Sequence, residues 1–276
     1  MHVCPLQQLK EPSLSIALAE IRTALRPLLA CLWVAWAAVL LGPMIWDLIA
    51  GAESYRTPGW CKMTSSVLLI IAGWTWYAAL VGTDSDADSI KRAKRIALLM
   101  TAGMALGTLG DFFNAGRLQE VIPLDDPTVG GLASFLLGHI LYITACILLA
   151  RWCELTDRRS WLLAVGFWQF AAVIGWVLIC FRGEGNATLM WAALPYSMLL
   201  AGTAGVTAAL ALQDKRLTLL AMGGALFLIS DLILGYEIFQ GPLWPEGEPV
   251  WLTYGPGQML IVFAIGAMVT LLPDDE

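Results

Sequence analysis

An all-α polytopic integral membrane bundle of about eight transmembrane helices is the fold class this sequence predicts, and three observations carry it. The chain is 58% hydrophobic and only 14% charged, with a mean hydropathy of +0.71. A soluble domain carries charge on about a quarter of its residues. Apolar runs of about 20 residues recur along the chain, the helix length that crosses roughly 30 Å of hydrocarbon. Between the runs lie short connections rich in Pro, Gly and acid, the longest at 114–131 and 240–251.

The elements follow in order. Residues 1–27 are too long and too polar for a cleavable signal. Within them Leu14, Leu18, Ile21 and Leu25 keep helical spacing, with Glu20, Arg22 and Arg26 between, which predicts a short cytoplasmic or interfacial helix. The transmembrane domain then occupies 28–272 as one unit without a clear internal repeat. Its spans are 28–50, 63–82, 96–114, 131–150, 161–181, 189–211, 217–239 and 252–272. Glycines mark the inner helices: Gly103 and Gly107 in the third span, Gly202 and Gly205 in the sixth, Gly223 and Gly224 in the seventh. Small residues at such spacing let helix backbones approach closely. The eighth span contains Gly255-Pro256-Gly257, a candidate break.

Charge sets the expected orientation. Lys10, Arg22, Arg26, Lys91, Arg92, Lys94, Arg95, Arg151, Arg158, Arg159, Lys215 and Arg216 fall on one side; Arg56, Lys62, Arg117 and Arg182 fall on the other. The positive-inside rule puts the first side, with both termini, in the cytoplasm. Trp46, Trp60, Trp161, Trp191 and Trp251 lie near span ends and read as interfacial anchors. The net charge of −6 offers no basic footprint for nucleic acid. Cys4, Cys31, Cys61, Cys146, Cys153 and Cys180 form no CxxC pair and read as small buried hydrophobes, a Cys61–Cys180 bridge being the less favoured reading.

An ionisable group inside a span is expensive and points to function. Asp231 lies deep in the seventh span among Leu and Ile. Asp111 follows the Gly103–Gly107 stripe by one more turn, so it points into a helix contact. His139 sits inside the fourth span with Tyr142 nearby, although a single histidine there is more often a satisfied core residue. Lys62 stands at the mouth of the second span, where snorkelling to headgroups would also explain it. Tyr196, Tyr254 and Gln258 each serve equally well as interhelical hydrogen-bond partners. Alternating the spans nevertheless puts all seven, Lys62 to Gln258, in the half of the membrane away from the basic loops. That clustering describes a polar pocket. With His2 and His139 as the only histidines, a zinc ligand set is missing, and no Gly-x-Ser-x-Gly elbow occurs. Two carboxyls remain, suited to proton transfer and to steadying an oxocarbenium-like cation.

The ordered set Lys62, Gly110–Asp111, His139 with Tyr142, Tyr196, Ser230–Asp231, and Thr253–Tyr254 with Gln258 resembles the YhhN-type lysoplasmalogenase family over roughly residues 60–270. The resemblance implies a multi-pass membrane hydrolase that cleaves the vinyl-ether bond of a lysoplasmalogen, giving a fatty aldehyde and a glycerophospho-alcohol. It implies Asp111, Asp231 and His139 as catalytic and Lys62, Tyr142, Tyr196, Tyr254 and Gln258 as substrate-binding residues. No metal or cofactor is expected. The expected partners are membrane lipid and a lysophospholipid-type amphiphile. Met63 departs from the family's usual proline, Glu237 stands where a neutral amide is usual, and Gly-Pro-Gly enters a stretch that is usually more helical. A proton-coupled transporter or lipid-binding protein remains an alternative, as does hydrolysis of another lipid ether or ester.

Overall fold

The computed structural model describes residues 14–83, 87–124, 127–184 and 187–274. Among them there is no strand, and eight helical spans are long and apolar enough to cross a membrane. The helices are α1 (Leu14–Ile49), α2 (Gly59–Val81), α3 (Asp88–Asn114), α4 (Pro127–Trp152), α5 (Arg158–Trp176), α6 (Ala187–Gln213), α7 (Thr218–Gln240), α8 (Pro249–Phe263) and the short α9 (Ile265–Val269). A π-helical turn, Val177–Phe181, extends α5, and a 3-10 turn, Lys215–Leu217, leads into α7. Each predicted span falls on one of these elements, with α8 and α9 together forming the last.

Helices outrun the predicted spans where charge begins. α3 starts at Asp88 and carries Lys91, Arg92, Lys94 and Arg95 in its first turns. An apolar window marks only the part that crosses hydrocarbon, whereas backbone hydrogen bonding continues into the interface, where long basic side chains remain solvated. The largest difference is at the N-terminal end. The stretch holding Leu14, Leu18, Ile21 and Leu25 is the start of α1 itself, so a boundary at residue 27 falls inside a continuous helix. The 36 residues of α1 would extend about 54 Å at 1.5 Å per residue, well beyond the hydrocarbon. His2, Cys4 and Lys10 lie outside the described residues.

Burial orders the bundle. Of the most apolar stretch of α3, 61% is buried, against 11% for α1 and 17% for α5, so α3 is central and those two are peripheral. Neighbours along the chain pack together, α3 with α4, α5 with α6 and α7 with α8 most extensively. Glycine makes these approaches possible. A Cβ on Gly103 would stand 2.6 Å from the Tyr142 ring and 3.1 Å from the Gly138 carbonyl oxygen. One on Gly223 would meet the Gly257 carbonyl oxygen at 2.8 Å. The Gly-Pro-Gly sequence therefore serves packing rather than a break: α8 is continuous through Pro256, with Gly255 against Leu40 of α1 and Gly257 against α7.

Cys31, Cys61, Cys146, Cys153 and Cys180 are all unpaired, and Cys61, Cys146 and Cys180 are buried. The Cys61–Cys180 bridge is thus absent, and Cys61, Cys146 and Cys180 pack as small apolar groups. Cys31 is exposed, and the half-buried Cys153 donates its thiol to the Leu271 carbonyl at 3.3 Å, so the expectation of burial fails for these two. Two loops at one end of the bundle are stitched together. The Tyr55 amide donates to the Glu246 carbonyl at 2.9 Å, Arg56 Nη2 donates to the Pro245 carbonyl at 2.6 Å, and the Tyr55 and Trp244 rings meet edge-on. This joins the α1–α2 connection to the α7–α8 connection.

Candidate functional site

Short connections place the first turns of α2, α4, α6 and α8 and the last turns of α3, α5 and α7 at one end of the bundle. A cavity of about 400 Å³ opens among them. Lys62, Asp111, Tyr196, Asp231 and Tyr254 line its polar wall. Lys62 and Asp111 each lie three residues from their helix ends, roughly 5 Å in, and Asp231 lies nine residues before Gln240, roughly 13 Å in. The carboxyls therefore stand at two levels of one cavity.

Their surroundings differ. Asp111 is buried, and its Oδ2 accepts hydrogen bonds from Ser66 Oγ at 2.8 Å and Tyr254 Oη at 3.0 Å. Behind Tyr254 the donors continue in one direction. Tyr142 Oη donates to Gln258 Oε1 at 3.1 Å, and Gln258 Nε2 donates to Tyr254 Oη at 3.2 Å. The chain of O–H and N–H groups from α4 through α8 thus ends on Asp111, an arrangement suited to an ionised acceptor. Asp231 receives one short bond, from Tyr196 Oη to Oδ2 at 2.6 Å. Its Oδ1 is 3.5 Å from Ser230 Oγ, which spends its proton on the Phe227 carbonyl at 2.6 Å. At 3.5 Å the second contact is weak, and Oδ1 is left available to the cavity.

The other predicted residues sit elsewhere. Tyr142 and Gln258 are buried behind the polar wall and reach the cavity only through Tyr254. His139 does not line the cavity either: it is 2% exposed, and its ring packs edge-on against Phe227 at 4.4 Å. His139 Nδ1 pairs with Thr203 Oγ1 at 2.9 Å, and Nε2 meets no hydrogen-bond partner among the described residues. Glu237 is likewise absent from the cavity lining. Lys62 is no free snorkelling cation. Its Nζ forms an ion pair with Glu248 Oε1 at 2.7 Å and lies 5.5 Å from the centre of the Trp251 ring. Trp251, expected as an interfacial anchor, lines the cavity instead.

Away from the polar wall the cavity becomes apolar. Trp176 at the end of α5, Ile179 of the π-turn, Leu189 and Ala193 of α6, and Leu232 and Ile238 of α7 supply this apolar lining. Gly175 faces Leu232 closely, where a Cβ would stand 2.6 Å from Leu232 Cδ2. The π-turn contributes Ile179 and Cys180 to the lining, and such turns recur where a helix face is re-aimed at a site.

Sequence reasoning passed over Ser66 and Glu248, and took Trp251 only for an interfacial anchor. Ser66 is one turn beyond Lys62 on α2, and that spacing was the available signal for a hydroxyl on the same face. Glu248 sits in an acidic loop, where composition hides a paired carboxylate among solvated ones. No three of His, Cys, Asp and Glu gather as a metal-ligand group among the described residues.

Residues 59–265 match the model of the YhhN family, which is most of the chain and covers every residue of the polar wall. No curated protein and no solved structure matches it.

Proposed function

The chain belongs to the YhhN family, and from that premise we propose that it is a membrane lipid hydrolase cleaving the vinyl-ether bond of a lysoplasmalogen. The observation that carries the reading is the pair of carboxyls facing one cavity with unequal hydrogen bonding. Asp111 has the donors an ionised carboxylate needs, and Asp231 has an oxygen left to hold and deliver a proton. The lining of the cavity supports it as well. Polar groups from Lys62, Asp111, Tyr196, Asp231 and Tyr254 together with apolar side chains of α5, α6 and α7 suit a single-chain amphiphile whose scissile bond lies between headgroup and hydrocarbon.

In this mechanism Asp231 donates its proton to the vinyl carbon remote from the ether oxygen. The carbon next to oxygen becomes an oxocarbenium centre, and the Asp111 carboxylate steadies that charge. Water adds to this carbon and gives up a proton to a carboxylate, forming a hemiacetal. Collapse of the hemiacetal breaks the bond between that carbon and the glycerol oxygen, and the oxygen leaves protonated. One water is consumed, and an aldehyde and an alcohol are released without any redox change. Tyr196 holds Asp231 in place, while Ser66 and Tyr254 hold Asp111. Tyr142 and Gln258 act from behind the wall as positioning residues through Tyr254, while His139 bonds Thr203 and packs against Phe227 away from both carboxyls.

A transport reading would draw support from a broken midplane helix, and α8 runs unbroken through Pro256. The test is incubation of the purified protein with a lysoplasmalogen and, separately, with an ester lysophospholipid of the same chain length. Aldehyde from the first and no fatty acid from the second is expected. Fatty acid release, or neither product, sinks the proposal.

A further inference from the structure

The most buried helix of the bundle keeps one open strip. α3 packs against α2, α4, α8 and α9, and on its remaining side Lys91, Arg95, Leu98, Ala102, Ala105 and Leu109 follow one another. Steps of three and four residues keep them on one helix face. Lys91, Arg95, Leu98 and Leu109 are exposed, and Ala102 and Ala105 are half-buried. We infer that this strip is a seat for an anionic membrane phospholipid, its phosphate on Arg95 and Arg151 and one chain over Ala102 and Ala105. The seat is separate from the cavity and from any reaction there. Asp111 lies 16 residues beyond Arg95 on α3, roughly 24 Å at 1.5 Å per residue.

Shape is the first observation. A Cβ on Gly73 would stand 2.6 Å from Thr101 Oγ1, so α2 lies against α3 with Ile71 and Trp74 near the level of Ala102. Both side chains are exposed, as are Leu137 and Ile140 on α4. Bulky groups thus stand out on either neighbour, while α3 between them presents two alanines. The result is a groove with a small-residue floor, where an acyl chain gains close dispersion contact.

Charge at the end of that groove is the second. Lys91 stands 3.5 Å from Asp88, and Arg216 is paired with Asp214 at 2.6 Å. Arg95 and Arg151 have no ion pair among the described residues. Arg151 ends the lipid-facing side of α4, 11 residues after Ile140 and 14 after Leu137, close to three and four turns. The third observation brings the two arginines together. Arg92 Cζ lies 5.9 Å from the centre of the Trp152 ring, so the start of α3 meets the end of α4. Arg95 is one turn on from Arg92, and Arg151 adjoins Trp152, which puts both guanidinium groups at one level where the apolar stretches begin. Two unpaired guanidinium groups suit the oxygens of a phosphate diester. A zwitterionic headgroup brings its own cation to that place and leaves the arginines uncompensated, whereas an anionic one neutralises them.

Native mass spectrometry of the detergent-purified full chain tests this by counting lipid adducts. Dioleoyl phosphatidylglycerol, dioleoyl phosphatidylcholine and glycerol 3-phosphate are titrated separately. The first phosphatidylglycerol should bind about 5-fold more tightly than phosphatidylcholine, the scale of one cation beside an anionic lipid. Arg95→Gln and Arg151→Gln should each bring the two lipids within about 2-fold. Ala102→Leu, which fills the floor and leaves the charges, should weaken phosphatidylglycerol binding by about 3-fold or more. Lys215→Gln removes a cation at the same end of the bundle but on the α6–α7 connection, and should leave the preference unchanged. Equal binding of both lipids by wild type, or a preference that survives Arg95→Gln and Arg151→Gln combined, overturns the inference. So does an equal loss in Lys215→Gln, which would mean diffuse charge rather than a seat. Glycerol 3-phosphate binding as tightly as phosphatidylglycerol would make this a site for a soluble anion and refute the lipid. Should a groove or arginine variant fail to fold, the wild-type ratio and the remaining variants still decide.

Discussion

Asp231→Asn is the substitution that separates chemistry from architecture at this site. The amide oxygen can take the place of Oδ2 and still accept the 2.6 Å bond from Tyr196, so the side chain keeps its position. The 3.5 Å approach of Ser230 to Oδ1 is too long to matter for holding it. What disappears is the transferable proton. A positioned general acid contributes about 100- to 10,000-fold, so turnover should fall by at least about 100-fold, or about 2.7 kcal/mol of barrier at 1.36 per decade. Asp111→Asn likewise keeps an oxygen for Ser66 and Tyr254 and should cost a similar factor. Groups acting on one transition state are not additive, so the double variant should lie within about 10-fold of the worse single. The assay is aldehyde release from a lysoplasmalogen, with a monodisperse size-exclusion profile in detergent as the fold check. A folded Asp231→Asn protein turning over at near wild-type rate would refute the assignment, and independent, multiplying losses would refute the pairing.

His139→Gln should lower thermal stability by disturbing the Thr203 bond, yet reduce turnover less than about 10-fold, since the ring does not line the cavity. A 100-fold loss in a folded protein would return His139 to the chemistry. Gly103→Ala should destabilise the α3–α4 contact by about 1–3 kcal/mol, because the new methyl meets the Tyr142 ring at 2.6 Å and the Gly138 carbonyl at 3.1 Å. An unchanged melting temperature in detergent would show that the two helices separate without cost. Reporter fusions should give a cytoplasmic signal at the C-terminus and a non-cytoplasmic one from the α3–α4 connection, following the charge bias. The opposite pattern would move the cavity mouth to the other leaflet.

Much of the fold was legible because hydrocarbon imposes a length and a composition on any helix that crosses it. The spans carried that signature, and helix ends did not. In α3 the charged first turns, and in α1 the amphipathic stretch before residue 28, are helix by hydrogen bonding rather than by hydropathy. The gathering of Lys62, Asp111, Tyr196, Asp231 and Tyr254 was legible from span alternation, since a polar residue's depth follows from its distance to a span end. Which face each residue turned was not. His139, Tyr142 and Gln258 are at suitable depths but point behind the wall, a matter of helix rotation that one sequence leaves open. The Gly-Pro-Gly of α8 was misleading for a related reason: proline and glycine signal a break in water, whereas neighbouring helices hold this helix intact. Glu248 was hidden because a pairing 186 residues apart in sequence leaves no local pattern.

The stitched loops over the bundle end bear on how such a site empties. Tyr55, Arg56 and Ser54 tie the first connection to Pro245 and Glu246 of the last, just before the residue that holds Lys62. These bonds fasten the α1–α2 connection to the α7–α8 connection, so neither moves alone without breaking them. In the reaction proposed above the two products differ in solubility: one belongs to water and the other to oil. The glycerophospho-alcohol would form on the Lys62 side of the cavity, and the aldehyde beside Trp176, Ile179 and Leu232. Because α5 is peripheral, an opening between it and α7 would return the aldehyde to the bilayer without passing Lys62. Catalysis in such a chamber would then discharge in two directions, each product leaving toward the phase that dissolves it.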